Sequence, residues 1–445
     1  MALGIDGLIS GIDTTAMIKQ LMEIEARPQV QLKDRAAGTR TMVSALQGLN
    51  TRIAALAEKA AGTAKPAGTD LYTAAVSSDK ASATVTTGAA AGSLDFQVAQ
   101  TARAQVSLSA ALSAWPDGAA LSISAAGDIT TIDTANKSLD EVVSEVNKAN
   151  LGVAAVKIAA GSVDGVQQFR IQFTATKTGT EGAFESSLDG TPLQELHAAR
   201  DARITLWAGT PAAQDLTSST NTFTGLMPGV DLTLAADAPA GTTATLAVSR
   251  DDAAISKVAQ DLVASLAEAF DYINRNSAVT VTTTNGTSGA TGGLFTGDSG
   301  VRDIKRLLMD AATGPLDGVS PSAIGIELTK YGTVEFNAEK FAEALAADPA
   351  KTQDMLRAVA DRVAGAGTTA SDKYDGLLTK RIQGQESTLR ELTTQIEDWD
   401  RRLASRESTL KLVWTNLEVK LSQLQSQQDW LTGQLAALNT SGSKK

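Results

Sequence analysis

The sequence predicts a multidomain α+β protein: long terminal coiled-coil helices forming a stalk, a helical leg domain, and two nested β-rich head domains. Three observations predict it. Leu389, Ile396, Leu403, Leu410, Leu417, Leu424, Leu431 and Leu438 recur at strict seven-residue intervals, the period of a helix packed against a partner. From about residue 71 the composition turns to Thr, Ser, Val, Ala and Gly, with the period-two alternation of half-buried strands. At 445 residues with only 4% aromatics, small aliphatic cores in several modest domains fit better than one large core. The expected layout pairs 1–45 with 385–445 as the stalk and 46–72 with 253–384 as the leg. Residues 73–107 with 201–252 form one β-rich head domain, and 108–200 an inserted outer one.

The elements justify this in order. Met17, Ile18, Leu21, Met22 and Ile24 form an apolar helical face, with Thr14 or Thr15 as its N-cap. Pro28 restricts Arg27 and breaks or kinks that helix. Met42, Leu46, Leu49, Ile53 and Leu56 repeat the 4-3-4-3 spacing of a helix seam. Residues 83–86 and 94–98 alternate as strands. Residues 138–150, SLDEVVSEVNKAN, read as an amphipathic helix with Leu139, Val142, Val143 and Val146 inward and Gly152 as the stop. Strand-like runs follow at 153–158 and 169–173, which makes a compact α+β unit. Further strands are expected at 202–206, 229–234 and 244–248, with turns at Pro228-Gly229 and Pro239-Ala240-Gly241. After Asp251-Asp252 a helix carries Ile255, Val258, Leu262, Val263, Leu266 and Phe270 on one stripe. Residues 286–300 read as a glycine-rich loop, and 301–312 and 338–364 as helical.

The last helix has a second apolar row, three residues on at first (Leu392, Trp399) and four residues on later (Trp414, Leu421, Leu435). The change of offset near Arg406 means the stripe drifts around the helix and changes partner. Glu391, Glu397, Asp398, Arg401, Arg402, Glu407, Lys411, Glu418 and Lys420 supply a mixed-sign solvated face. From Gln385 to Leu438 the helix would measure roughly 80 Å at ~1.5 Å per residue, so it cannot bury its stripe against itself. The N-terminal helices, packed antiparallel, are the expected partner. The competing reading makes both stripes ordinary core helices of one bundle.

Composition removes several function classes. The net charge is −11 and the pI about 4.8, which leaves no basic stripe for nucleic acid. No apolar run approaches a membrane span. Cysteine is absent and His197 is the one histidine, so disulfides, thiolate metal sites and cysteine nucleophiles are excluded and general-base chemistry has little material. No catalytic, cofactor-binding or metal-ligating residue is expected. Gly297-Asp298-Ser299-Gly300 resembles a serine-protease nucleophile motif. Its only base would be His197, which reads as a helix or loop surface, and a plain glycine turn is the better reading. The 286–300 loop lacks the Gly-Lys-Ser/Thr ending of a phosphate-binding loop. The pairs Asp251-Asp252 and Asp398/Asp400 lack the spacing of a calcium loop, and Trp399, Trp414 and Trp430 read as packing residues. The opening MALGIDGLISGIDTTAMIKQ has no basic n-region and no A-x-A site, so it is not a conventional signal peptide, and taken alone it suggests the cytoplasm.

Several segments together resemble one family. The string Gly7-Leu8-Ile9-Ser10-Gly11-Ile12-Asp13 with Ile18, Leu21, Met22, Glu25 and Pro28 is similar to the opening of the bacterial flagellar filament cap proteins (flagellar hook-associated protein 2). Ser219-Thr220-Asn221-Thr222-Phe223-Thr224-Gly225-Leu226-Met227-Pro228-Gly229-Val230 resembles that family's second characteristic segment, followed by Arg250-Asp251-Asp252 and a helix. Gly293-Leu294-Phe295-Thr296-Gly297-Asp298, Ile324-Gly325-Ile326 and the C-terminal heptads complete the resemblance. Residues 108–200 resemble the family mainly at SLDEVVSEVNKANLGV.

The resemblance implies a homo-oligomeric ring of about five subunits at the distal filament end, promoting flagellin polymerisation and preventing loss of monomer. It implies further partners, hook-filament junction proteins and an export chaperone at the C-terminal helix. It also places the protein outside the cell at the flagellum tip, exported through the flagellar type III channel, which revises the cytoplasmic reading. Docking would run through the apolar stripe of the helical legs, at Ile18, Leu21, Met22, Leu410, Trp414, Leu417, Leu421 and Leu424. The alternative is an extracellular adhesin that binds a host or surface glycan through the β-rich middle; a secreted hydrolase would need a base that the sequence barely contains.

Overall fold

The computed structural model describes residues 13–441 with the exception of 126, 285, 286 and 331. The opening string up to Ile12, the residue Gly286 and the side chain of Leu438 lie outside the described residues. The helices, in order, are α1 (Thr14–Glu25), α2 (Arg27–Thr63), α3 (Leu139–Ala149), α4 (Asp252–Ser277), α5 (Ser299–Thr313), α6 (Ala338–Ala347), α7 (Pro349–Ser371) and α8 (Leu377–Ser441). The chain divides into two compact units. A helical unit comprises Met1–Ala64, Gln260–Ala344 and Asp354–Lys445; a β-rich unit comprises Lys65–Ala259 and Leu345–Gln353.

In the helical unit, α1 is capped by Asp13, whose carboxylate accepts from the Ala16 N–H at 2.8 Å, rather than by Thr14 or Thr15. A carboxylate one position earlier satisfies the orphan donor and leaves Thr14 to pack in the buried interface. The break falls at Ala26, and Pro28 sits in the first turn of α2. Proline has no N–H to offer the Ile24 carbonyl one turn back, so the first helix stops there. The seam of α2 is buried at Leu46, Leu49, Ile53 and Leu56, with Met42 half-buried and Val43 and Ala45 joining it. Each large aliphatic side chain so buried contributes about 1.5–3 kcal/mol before entropy is counted.

α2 lies against α4, where the Tyr272 hydroxyl donates to the Ala45 carbonyl at 3.1 Å, and against α7, where Gly367 meets Ala57. The stretch 338–364, expected to be helical throughout, is two helices. Asp348 accepts from Lys351 N–H at 3.0 Å and Pro349 opens α7, a proline-initiated restart that apolar periodicity does not reveal. The expected glycine-rich loop is also corrected: Thr287–Gly292 is a strand paired antiparallel with Val279–Thr284. The β-branched partner strand supplies the ladder that glycines lack the propensity to start alone.

The β-rich unit is closed on itself. Asp251 N–H donates to the Leu71 carbonyl at 2.9 Å, so the chain leaves where it entered. Just inside that point, Tyr72–Val76 pairs with Thr243–Arg250, the first two strands of a five-stranded sheet completed by Gly92–Gln100, Ala202–Leu206 and Gln214–Ser218. A three-stranded sheet of Thr222–Met227, Val230–Leu234 and Ala81–Val85 packs with it around Phe96, Ile204, Phe223, Leu232 and Leu246. A second core holds Leu121, Ile123, Val142, Val146, Ile171 and Phe173, between two four-stranded sheets and α3. α3 starts with a full capping box: Ser138 accepts from Glu141 N–H at 3.3 Å and Glu141 accepts from Ser138 N–H at 2.8 Å. It ends on Asn150 in the left-handed region (φ 50°), two residues before the expected Gly152. His197 lies on the strand Gln194–His197, not on a helix or loop. No helix among the described residues is long and apolar enough to cross a membrane.

Candidate partner-binding surface

The surface is built from α1, the start of α2 and the length of α8. Three side-chain pairs tie them: Gln47 to Glu386 at 3.5 Å, Gln29 to Asp400, and Arg406 to Glu25 at 3.1 Å. As the position falls from 47 to 25 on one side, it rises from 386 to 406 on the other. The helices therefore run antiparallel, as expected for the two ends of the chain. Gln29 is 5% exposed, a polar group inside the seam, and its oxygen accepts from Lys33 at 3.2 Å while its nitrogen donates to Asp400. The Glu25–Arg406 pair stands beside the Ala26 break. Near Arg406 the apolar rows of α8 change offset because the partner changes from α2 to α1.

The root of α8 is fixed in the helical core. Leu378 is fully buried, and Arg381 pairs with Asp298, whose side chain is 4% exposed and also accepts from Val301 N–H at 3.1 Å to cap α5. At ~1.5 Å per residue the 65 residues of α8 extend roughly 98 Å. Its heptad residues Leu389, Ile396, Leu403 and Leu410 are half-buried, as are Trp414 and Leu421.

Each expected docking residue has a definite place. Ile18 is 8% exposed and Met22 half-buried, packed into the pair, whereas Leu21 is 41% exposed. Leu417 is 44% and Leu424 61% exposed, continued outward by Leu431 and Leu435. Leu410, Trp414 and Leu421 lie between, half-covered. Met17 and Ile24 share the exposed face of Leu21 at i, i+4, i+7 spacing, a signal the sequence carried but did not separate from the buried face. Leu412, Val413 and Val419 are exposed outside the heptad rows. Trp430, expected to pack, is 64% exposed.

The remaining chemistry of this surface is quiet. A groove along α8 is lined by Asp398, Arg401, Arg402, Ser405, Arg406 and Thr409. Its arginines are occupied: Arg401 by Asp398, Arg406 by Glu25, and Arg402 over the Trp399 ring at 5.7 Å. Ser299 opens α5 in the helical unit, and His197 belongs to the β-rich unit. Asp251 caps α4 through Ala254 N–H at 2.8 Å, and Asp252 pairs with Arg250. Among the described residues no cluster of three or more His, Cys, Asp or Glu could hold a metal.

A helical unit, a β-rich unit, a long antiparallel helical pair and an apolar stripe left half-open are the features of a structural, helix-docking class of protein. The chain belongs to the flagellar hook-associated protein 2 family. The model of that family's C-terminus matches residues 199–426 and that of its N-terminus residues 10–105; 106–198 fall in neither. A B-type flagellar hook-associated protein 2 of Pseudomonas aeruginosa is 26% identical over 99% of both chains. A lateral flagellar hook-associated protein 2 of Vibrio parahaemolyticus is 28% identical, over 49% of this chain and only half of that relative's length. The crystal structure of the D1-D2-D3 domains of the flagellar cap protein FliD from Escherichia coli superposes with a TM-score of 0.58 at 20% identity. It covers 77% of this chain and 99% of that one, and shares the fold. None of these relatives supports the adhesin alternative.

Proposed function

We propose that this protein caps the flagellar filament: it oligomerises at the distal end, promotes flagellin polymerisation there and prevents loss of monomer to the medium. Family membership supports the capping role, and one observation carries the mechanism: the heptad row of α8, half-buried as far as Leu410, is open at Leu417, Leu424 and Leu431. An exposed heptad stripe on a helix paired elsewhere is a docking face for other helices. Leu21 and the exposed turns of α8 engage filament subunits, while Ile18, Leu410 and Trp414 hold α1 and α8 together. Shallow apolar contacts, without a buried ion pair to break, let such a face detach and re-dock. The same stripe offers an export chaperone an apolar helical face before assembly, and the junction proteins a seat on the hook. A ring of about five subunits, exported through the flagellar type III channel to the extracellular tip, completes the reading.

Replacing Leu417 and Leu421 with Asp in the producing cell tests it. Flagellin is expected to accumulate in the medium and filaments to disappear, while the purified variant keeps the β-sheet circular dichroism of residues 73–254. Normal motility and normal filaments in that variant would overturn the docking role.

A further inference from the structure

The chain passes between the two cores of the β-rich unit twice, at residues 102–105 and 198–201. Two crossings of this kind ordinarily leave a hinge, and lobes joined by them move relative to each other by default. Here both crossings are bonded to each other and from each side. Arg103 and Arg200 exchange both backbone hydrogen bonds, at 2.9 and 3.1 Å. The Arg200 Nε donates to the Thr101 carbonyl at 3.0 Å, and the Gln100 amide to the Asp201 carbonyl at 2.8 Å. From the first lobe, the Asn221 side chain accepts from Ala102 N–H at 2.7 Å. From the second, the buried Gln105 amide is bonded on both sides to the backbone of Phe184.

A third strut spans the lobes beside the crossings, and its Gly179 N–H also donates to the Arg103 carbonyl at 3.2 Å. The Thr178 hydroxyl donates to the Ser219 carbonyl at 2.8 Å, and the next residue, Gly179, lies backbone against backbone on Ser219. A Cβ at Gly179 would stand 2.4 Å from the Ser219 oxygen, and φ is +77°, so only glycine fits this approach. Thr180 then donates its N–H to Asp201 at 2.6 Å and its hydroxyl at 3.0 Å.

We infer that the Asp201 carboxylate and the Thr178–Gly179–Thr180 loop form a latch that locks the two β-rich lobes into one rigid body, with Asp201 as the positioning residue. The half-buried carboxylate gathers the second lobe's loop onto the crossing strand, and the Ser219 contact prevents rotation about the two crossings. Rigidity here is independent of the capping reading, because it is a property of the free chain.

The chain has no native cysteine, so Ala240→Cys and Thr131→Cys, both exposed and one in each lobe, accept spin labels at those two places only. Pulsed electron–electron resonance on the full chain is expected to give a single narrow distance distribution. Asp201→Ala is expected to lose the narrow peak, with far-ultraviolet dichroism unchanged. Asp201→Asn, which keeps an acceptor for the Thr180 N–H, is expected to retain it. A narrow peak in a folded Asp201→Ala variant would overturn the latch. Should that variant not fold, Thr178→Val, which removes only the hydroxyl to Ser219, decides by the same readout: a broadened distribution supports the latch and a narrow one overturns it.

Discussion

Aspartates start four of the described helices. Asp13, Asp251, Asp298 and Asp348 each accept the backbone N–H three positions on, and Ser138 does the same in its capping box. Glu141 closes that box, and the Ser138 N–H it accepts holds its carboxyl below the ordinary value of 4.5. Asp133 is lowered by the Ala135 N–H and then by Lys137, and Asp372 by the N–H groups of Asp375 and Tyr374. Carboxylates depressed in the folded state contribute stability that is present above their unfolded values. That stability is lost as pH falls through their folded ones. Acid should therefore loosen the second lobe and the α7–α8 turn below about pH 4. Glu141→Gln keeps the reciprocal hydrogen bond without the charge. Urea midpoints measured from neutral to acid pH are expected to show a flatter acid limb for this variant, with little change at neutral pH. An unchanged acid limb would remove Glu141 from the account.

At the scale of elements, the sequence was readable where burial is one-sided and continuous. The 4-3-4-3 run on α2, the stripe of α4 and the first heptads of α8, up to Leu410, fell where periodicity put them, because each hides one face against a partner there. The α1–α2 break was readable from Pro28, and the change of partner on α8 from the altered row spacing at Arg406. What failed was local or came from a partner. The strand Thr287–Gly292 depends on Val279–Thr284, the restart at Pro349 on one capping aspartate, and the strand of His197 on its pairing with Val106–Leu108. On the candidate surface, spacing identified the apolar positions but could not tell the covered Ile18 from the open Leu21, since that depends on where the partner helix lies.

Close helix approach was equally invisible: Gly367 reads as a weakness in α7, yet its ideal Cβ would stand 2.8 Å from the Ala57 Cβ on α2. Both neighbours are backbone-fixed, so Gly367→Ala should destabilise the helical unit by about 1–3 kcal/mol despite alanine's better helix propensity. Chemical denaturation checks this. A stabilised variant would show that the two helices have room to part.

At the scale of the molecule, the β-rich unit is an insertion into the helical one, and its boundary is sharper in hydrogen bonds than in composition. The ladder from Tyr72↔Arg250 to Val76↔Leu246 closes the five-stranded sheet at the point of entry, and the Asp251 N–H to Leu71 carbonyl bond seals it. A domain whose ends meet in one strand pair pays no closure penalty when freed from its host, because the native pairing itself holds the ends together. Both cores lie wholly inside this boundary, from Ala89 to Val248. A fragment of residues 70–252 should therefore fold alone. It is expected to keep its β-type dichroism and to melt in one cooperative transition, which the latch at Asp201 would enforce by preventing one lobe from unfolding without the other. The fragment gives up the flanks 65–69 and 253–259 of the unit and the 345–353 segment, with the Gln353 amide on the Thr69 carbonyl at 2.8 Å and Arg250 on Leu345. Both lie at the rim of the sheet, outside either core. Two separated transitions would mean that the lobes are coupled more weakly than their hydrogen bonds imply. A fragment without cooperative melting would mean that the flanks 65–69 and 253–259 or the segment from Leu345 to Gln353 complete the fold.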